Sequence, residues 1–304
     1  MKKSLTIRLI LVACIASVIW PSARANQAFS SKLNIITYNV WFDKETADTR
    51  FPKIAKQLNT LNPDVILLQE VTPKFIKHYL ASPLSQSHLL FSSPNAKRTY
   101  GLAYLTKKRL TYSKVVPLKS QYRRTVYFVL LELTKNQALV LANVHLESGQ
   151  QEEKTRGQQI KAIHHTHLPN FINEVNNKLP ELKIVGTLWA GDFNIDGAES
   201  HATLNQNWQD AAKKHQQEEL MTYDVNANPL AKKTAGWFEG SSRLDRIYLN
   251  QDSLLLIDRY SVLDDLNKEL NDLDKGAHAL SDHYPIMLDL MIPEKKRSST
   301  NQNL

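Results

Sequence analysis

In "KIVGTLWAGDFNID", residues 183–196, an apolar run from Ile184 to Ala190 stops abruptly at Gly191-Asp192-Phe193-Asn194. Asp192 and Asn194 are two apart, so in an extended backbone both side chains leave on the same side. One is an acceptor or base, and the other both donates and accepts. Four other apolar runs meet polar groups at one end. Asn39 closes "IITYNV", Glu70 closes "VILLQE", His145 and Glu147 close "LANVHLES", and Asp282 and His283 open "LSDHYPI". Asp245 sits within "SRLDRIYL". Each alone has an ordinary explanation: a turn residue at Asn39, a lysine partner for Glu70, a satisfied core histidine at His145, an arginine partner for Asp245, a turn cap at Ser281-Asp282. Burying unpartnered polar groups is costly, and one sheet edge would gather all of them into a single cleft.

Metal-assisted hydrolysis of a phosphate diester is the chemistry such a set supports. Glu70 offers a hard oxygen for Mg²⁺, which keeps several waters and binds phosphate directly. Asp192 can orient or deprotonate the attacking water, while Asn194, His145 and Asn39 can donate to phosphoryl oxygens as charge builds on them. Asp245 beside His283 would hold that imidazole charged and correctly turned. The sequence has no Cys/His set suited to structural zinc, no Gly-rich phosphate loop and no Gly-x-Ser-x-Gly elbow.

The elements that must position these residues alternate between strands and helices. Residues 33–41, 64–70, 100–106, 183–190, 243–249 and 284–290 read as strands, with a helix around 48–58. Residues 125–148 hold two apolar runs joined by Thr134-Lys135-Asn136-Gln137, a hairpin signature, and a long polar helix is expected from Glu152 to about Lys178. Hairpins mixed with αβ units point to an α/β fold, a four-layer α/β/β/α sandwich of two mixed, mostly antiparallel sheets. Sheets covered on both faces also account for strands that read as nearly continuous apolar runs.

Residues 1–25 have a basic start, an apolar stretch from Leu9 to Trp20 and then Ala23-Arg24-Ala25, the pattern of a secretory signal peptide. The stretch is short for a membrane span. Its removal would take away the chain's one cysteine and four basic residues, lowering the net charge from +8 to +4. The expected product is a periplasmic or secreted monomer with no stable membrane span, mildly basic and held by an ordinary core. It would comprise one catalytic domain, residues 26–293, and a frayed tail, 294–304.

The stretches "YNVW", "LLQE", "NVHLES", "GDFN", "LDRIYL" and "SDHYPI" together resemble the ordered motifs of the endonuclease/exonuclease/phosphatase superfamily, whose fold is that of deoxyribonuclease I. The resemblance spans residues 35–290 and implies a four-layer sandwich and a Mg²⁺-dependent phosphodiesterase or phosphatase, Mn²⁺ being the alternative metal. It also implies that Asn39, Glu70 and Asp282 belong to the metal site, Asp192 and Asn194 to the water and phosphate, His145 to the phosphate, and that Asp245 pairs with His283. "HLESGQQEEKTRGQQIKAI" and "MTYDVNANPLAKKTAGWFEGSSRLDRIYL" are similar to the 5′-tyrosyl-DNA phosphodiesterases, which places Glu147 on the substrate face beside His145. An export signal departs from that subgroup, so its physiological substrate does not carry over.

The expected substrate is nucleic acid or another phosphodiester. Trp237 and Phe238, between Gly236 and Gly240 and after Lys232-Lys233, suit a stacked base or else plug the core beneath their loop. A sphingomyelinase-type lipid phosphodiesterase or an inositol-phosphate phosphatase on the same fold is the alternative. A binding module without chemistry is disfavoured by the full acidic and histidine set. "HHTH", residues 164–167, reads as a solvated helix face, and Arg123, Arg124, Lys232 and Lys233 as surface charges.

Overall fold

The structure is a computed structural model that describes residues 29–196, 204, 207–237, 240–264 and 280–294. The expected signal peptide, Phe238 and all of the tail after Glu294 lie outside the described residues. The first half of the chain runs β1 (Phe29–Asn39), α1 (Ala47–Leu61), β2 (Val65–Val71), α2 (Pro73–Leu80), a single-turn α3 (Leu84–Ser87), β3 (Leu89–Ser92) and β4 (Gly101–Thr106). Then come β5 (Leu110–Pro117), β6 (Thr125–Thr134), β7 (Gln137–His145), α4 (Glu153–Ala162), α5 (Leu168–Lys178) and β8 (Lys183–Asp192). The chain ends with β9 (Trp208–Asp210), α6 (Ala211–Lys214), α7 (Pro229–Thr234), β10 (Asp245–Asn250), β11 (Leu256–Val262) and β12 (Ile286–Pro293).

Among the described residues the strands form two sheets of six, in the orders β11-β12-β1-β2-β4-β3 and β5-β6-β7-β8-β10-β9. Each has one parallel pair at its centre, β1 with β2 and β7 with β8, and is otherwise antiparallel. In both parallel pairs the strands are joined through helices, because a parallel neighbour needs a crossover connection. Leu33, Ile35, Val65 and Leu67 of one sheet meet Val129, Leu139, Leu141 and Leu188 of the other in the central core. Alternate residues face outward: Ile36, Ile66 and Leu68 pack under Phe51, Ile54 and Phe75 of α1 and α2. On the second sheet Val126, Phe128 and Val140 pack under Ile160, Phe171 and Val175 of α4 and α5. The four-layer sandwich expected from the sequence is the fold.

Four strands, β3, β5, β9 and β11, fall outside the runs expected as strands. β3 and β9 are only four and three residues long. β5 and β11 are outermost in their sheets and mix half-buried with exposed residues, so neither carries a continuous apolar run. The expected helix over Glu152–Lys178 is present but changes pitch: α4 leads through a π-helical turn, Ile163–His167, into α5. Pro169 supplies the reason. It has no N–H to give the carbonyl of His165, and its ring clashes with that carbonyl in a regular turn.

Candidate active site

Register brings the strand-end residues together. His145 is the parallel partner of Asp192 across β7 and β8, and Asp245 is the antiparallel partner of Asp192 across β8 and β10. Gly191 makes the first pairing possible: it has φ +140, and a Cβ there would stand 2.1 Å from the carbonyl oxygen of Val144. Two site residues hold left-handed backbone, Glu70 at φ 59 and Asn194 at φ 51. Glu70 sits where the β2–β4 register shifts between Leu68 and Val71, and a bulge of this kind re-aims a side chain at the end of a ladder. For Glu70 this backbone carries local strain, whereas asparagine adopts it readily.

Asp192 is the hub. Its Oδ1 accepts the backbone N–H of Asn194 at 2.8 Å, and its Oδ2 accepts Nδ2 of Asn39 at 3.0 Å. Nε2 of His145 stands 3.4 Å from the same Oδ2, and Nε2 of His283 stands 3.8 Å from it. Burial, with Asp245 adding to it, pushes the Asp192 carboxyl up to about 6 despite these donors.

The two histidines are held in opposite states. Nδ1 of His145 accepts Nη1 of Arg124 at 2.8 Å; a guanidinium only donates, so the proton of this imidazole sits on Nε2. Burial, then Arg124 and His283, keep its pKa well below the histidine range, so it is neutral. His283 faces the reverse balance. Burial opposes its charge, yet Asp245, Asp192 and Asp282 together hold it well above the usual range. Its Nδ1 donates to Oδ2 of Asp245 at 2.7 Å. Asp192 and Asp245 would repel as a cross-strand pair of like charge, and the imidazolium lies within reach of both.

Glu70 and Asp282 form the other half of the site. Oε2 of Glu70 accepts the N–H of Phe42 at 2.8 Å. Burial, and then the charge of Asp282, push Glu70 up to about 7. Burial also raises Asp282, whose Oδ2 accepts the hydroxyl of Thr234 at 3.3 Å. Two buried carboxyls that both resist ionisation leave a deficit of positive charge at this point. Their hard oxygens suit Mg²⁺ or Mn²⁺, so the residues fit such an ion. Asn39 lies between the halves: Oδ1 accepts the N–H of Trp41 at 3.0 Å and keeps a second lone pair. Asp192, Asp245 and His283 also have ligand atoms within 4.8 Å of one another. A charged imidazole already sits among those carboxylates.

Two sequence expectations need correction. Glu147 does not face the cleft: it is fully buried, and its carboxylate accepts the N–H of Gln121 at 2.9 Å and Nε2 of Gln159 at 3.2 Å. The strand ends at His145, and beyond it the two-residue alternation no longer sets direction. Arg124 is not a surface charge. Only 6% exposed, it bridges His145 and the hydroxyl of Ser148, with Tyr100 and Tyr122 under its guanidinium. Neither neighbouring arginine pairs with Asp245: Arg243 binds Asp210 at 2.7 Å and Arg246 donates to the carbonyl of Ile195. Lys232, Lys233 and Arg123 are exposed, as expected. Trp237 ends the short turn Ala235–Trp237 that follows Thr234.

Arg50 is a further contributor that the sequence gives no signal for. From α1 it donates to the carbonyls of Val40, Trp41, Asp43 and Leu280 and to the hydroxyl of Thr46. It thereby holds the turn that presents the Phe42 N–H to Glu70. Phe42 stacks on Tyr100, ring centroids 4.8 Å apart, and is 43% exposed at the rim.

Residues 36–283 match the sequence pattern of the Endonuclease/Exonuclease/phosphatase family, and the chain belongs to that family. Tyrosyl-DNA phosphodiesterase 2 of Danio rerio is 26% identical over 228 residues, 72% of this chain and 57% of that protein. The Homo sapiens protein of the same name is 28% identical over 182 residues, 59% of this chain and 46% of that protein. The chain therefore spans about half the length of these relatives. A crystal structure of the Danio rerio protein with a single-stranded DNA product matches with a TM-score of 0.65 and 21% identity, over 86% of this chain and 99% of that one. At that identity the likeness is one of fold.

Proposed function

We propose that this chain is a divalent-metal-dependent phosphodiesterase that hydrolyses phosphodiester bonds in DNA or oligonucleotides. The observation that carries this reading is the pair of buried histidines whose Nε2 atoms both approach Asp192, one bonded through Nδ1 to Arg124 and the other through Nδ1 to Asp245. His145 presents a neutral Nε2–H and His283 a charged one. At 3.4 and 3.8 Å neither is committed to Asp192, so both can turn to phosphoryl oxygens of a bound diester.

Asp192 takes the proton of the attacking water, since a carboxyl near neutrality combines a usable charge fraction with real basicity. Its two oxygens stay fixed by Asn39 and Asn194. His283 adds positive charge where the transition state gathers negative charge, and His145 adds a dipole without a counter-charge to desolvate. Glu70 and Asp282 would hold Mg²⁺, or Mn²⁺ in its place, and the ion would polarise a phosphoryl oxygen and offset charge on the leaving oxygen. Trp237 is the residue we assign to stacking a neighbouring base. The likeness to tyrosyl-DNA phosphodiesterase 2 supports DNA as the substrate class.

Export and a monomeric state belong to the same proposal. Among the described residues no helix is long and apolar enough to cross a membrane. The intact mass of protein recovered from producing cells reads out cleavage after Ala25. Activity is tested on single-stranded DNA, duplex DNA, a 5′-phosphotyrosyl oligonucleotide, sphingomyelin vesicles and an inositol phosphate, with Mg²⁺ or Mn²⁺. Cleavage of the DNA substrates supports the proposal. Turnover of sphingomyelin or inositol phosphate alone contradicts it and favours the alternative.

A further inference from the structure

The π-helical turn between α4 and α5 carries three histidines, His164, His165 and His167, in the outer helical layer of the second sheet. Read from the sequence they are a solvated face. The structure is more specific. Nδ1 of His164 stands 3.3 Å from Nδ1 of His165. Two nitrogens bound at about 2.0–2.1 Å to one tetrahedral metal stand about 3.3–3.4 Å apart, so the pair already has the separation of two ligands on one ion. We propose that His164 and His165 form a second metal site, for a divalent transition-metal ion of tetrahedral preference such as Zn²⁺, separate from the catalytic cation.

Ligand chemistry sets the class. Neutral imidazole suits zinc, copper and nickel and is a poor ligand for magnesium. Geometry sets the place. Pro169 forces the wide turn, Leu168 closes it by donating to the carbonyl of Ile163, and the two rings meet edge to face with centroids 4.5 Å apart. His164 is half-buried and His165 exposed, so one ligand is fixed by packing while the other leaves water room to complete the coordination.

The site also has its own reporter. The His164 ring lies 6.2 Å from that of Trp189 and 6.1 Å from that of Trp208, which are themselves 5.0 Å apart. Cu²⁺ bound there should quench tryptophan emission. The experiment titrates Cu²⁺ into the full chain with excess Mg²⁺ present and repeats the titration on His165→Ala and on Glu70→Ala. A calorimetric titration with Zn²⁺ gives a readout independent of tryptophan. We expect saturable quenching at one equivalent, unchanged in Glu70→Ala and weakened by about tenfold or more in His165→Ala. The melting temperature of His165→Ala should stay at the parent value, because the side chain is exposed. Quenching that survives in His165→Ala, or is lost in Glu70→Ala, places the ion elsewhere and overturns the proposal. So does a pair that binds neither ion and shares only a hydrogen bond between neutral rings.

Discussion

Arg124 donates to Nδ1 of His145 at 2.8 Å, and that one bond decides which nitrogen of His145 faces Asp192. The arginine adds to burial in keeping His145 neutral. Arg124→Met should therefore release the tautomer and raise the pKa of His145 toward the ordinary histidine value. An NMR titration of the His145 ring reads this directly, and diester turnover should fall by roughly tenfold or more. An unchanged His145 titration in a folded variant would remove Arg124 from the account.

Asp245 and His283 are expected to act as one unit. His283→Ala and Asp245→Asn should each lower kcat by about 10²-fold or more, and the double variant should be little worse than either single one. Losses that multiply in the double variant would show two independent roles.

Metal and pH should be linked with a definite sign. Glu70 is raised to about 7, Asp192 to about 6, and His283 well above its ordinary value. A raised group favours the protonated fold, so its contribution is present below the unfolded pKa and lost as pH climbs through the folded one. From about pH 4, where the unfolded carboxyls ionise, to about pH 7 the metal-free protein should therefore lose stability, and His283 extends the loss to higher pH. A cation at Glu70 and Asp282 takes the place of those protons. The rise in melting temperature on adding Mg²⁺ should thus be larger at about pH 8 than at about pH 6. A larger rise at the lower pH would place the cation away from these carboxyls.

How much of this was legible in the sequence depends on what each residue's position requires. Asp192, Glu70 and His145 stand out because polar groups close apolar runs. The central strands are legible because burial on both faces leaves continuous apolar stretches. Edge strands such as β5 carry no such run. Arg124 follows Arg123 in a polar stretch and reads as solvent-facing, and Arg50 sits among the charges of α1 with nothing to mark it. Their burial is decided by carbonyls and an imidazole that only the folded chain assembles. Glu147 misled for a related reason, since alternation fails where its strand stops.

Arg50 should matter to stability more than its helix suggests. Arg50→Met leaves the carbonyls of Val40, Trp41, Asp43 and Leu280 without that donor. Unmet buried acceptors of this kind cost about 1–3 kcal/mol each, and a loss of about 3 kcal/mol lowers the melting temperature by roughly 6–12 °C in a domain of this size. Calorimetry that finds no change would show water replacing the guanidinium.

Trp237 tests how a long substrate is held. Stacking contributes about 1–3 kcal/mol per base, so Trp237→Ala should reduce oligonucleotide turnover at low substrate by roughly 5- to 150-fold. A small chromogenic diester, which has no base, should be cleaved almost as before. Equal losses on both, with a lower melting temperature, would make the ring a core plug.

The central claim is that a cation held by Glu70 and Asp282 works with Asp192, His145 and His283 on a DNA phosphodiester. Its most direct test is hydrolysis of a 5′-phosphotyrosyl oligonucleotide and of single-stranded DNA by the purified chain. Each is run with Mg²⁺, with excess chelator, and with Glu70→Ala. The account predicts cleavage with Mg²⁺, near-complete loss in chelator that Mg²⁺ restores, and a folded Glu70→Ala protein with very little activity at any Mg²⁺ concentration. Full cleavage in excess chelator, or a Glu70→Ala protein as active as the parent, would contradict it.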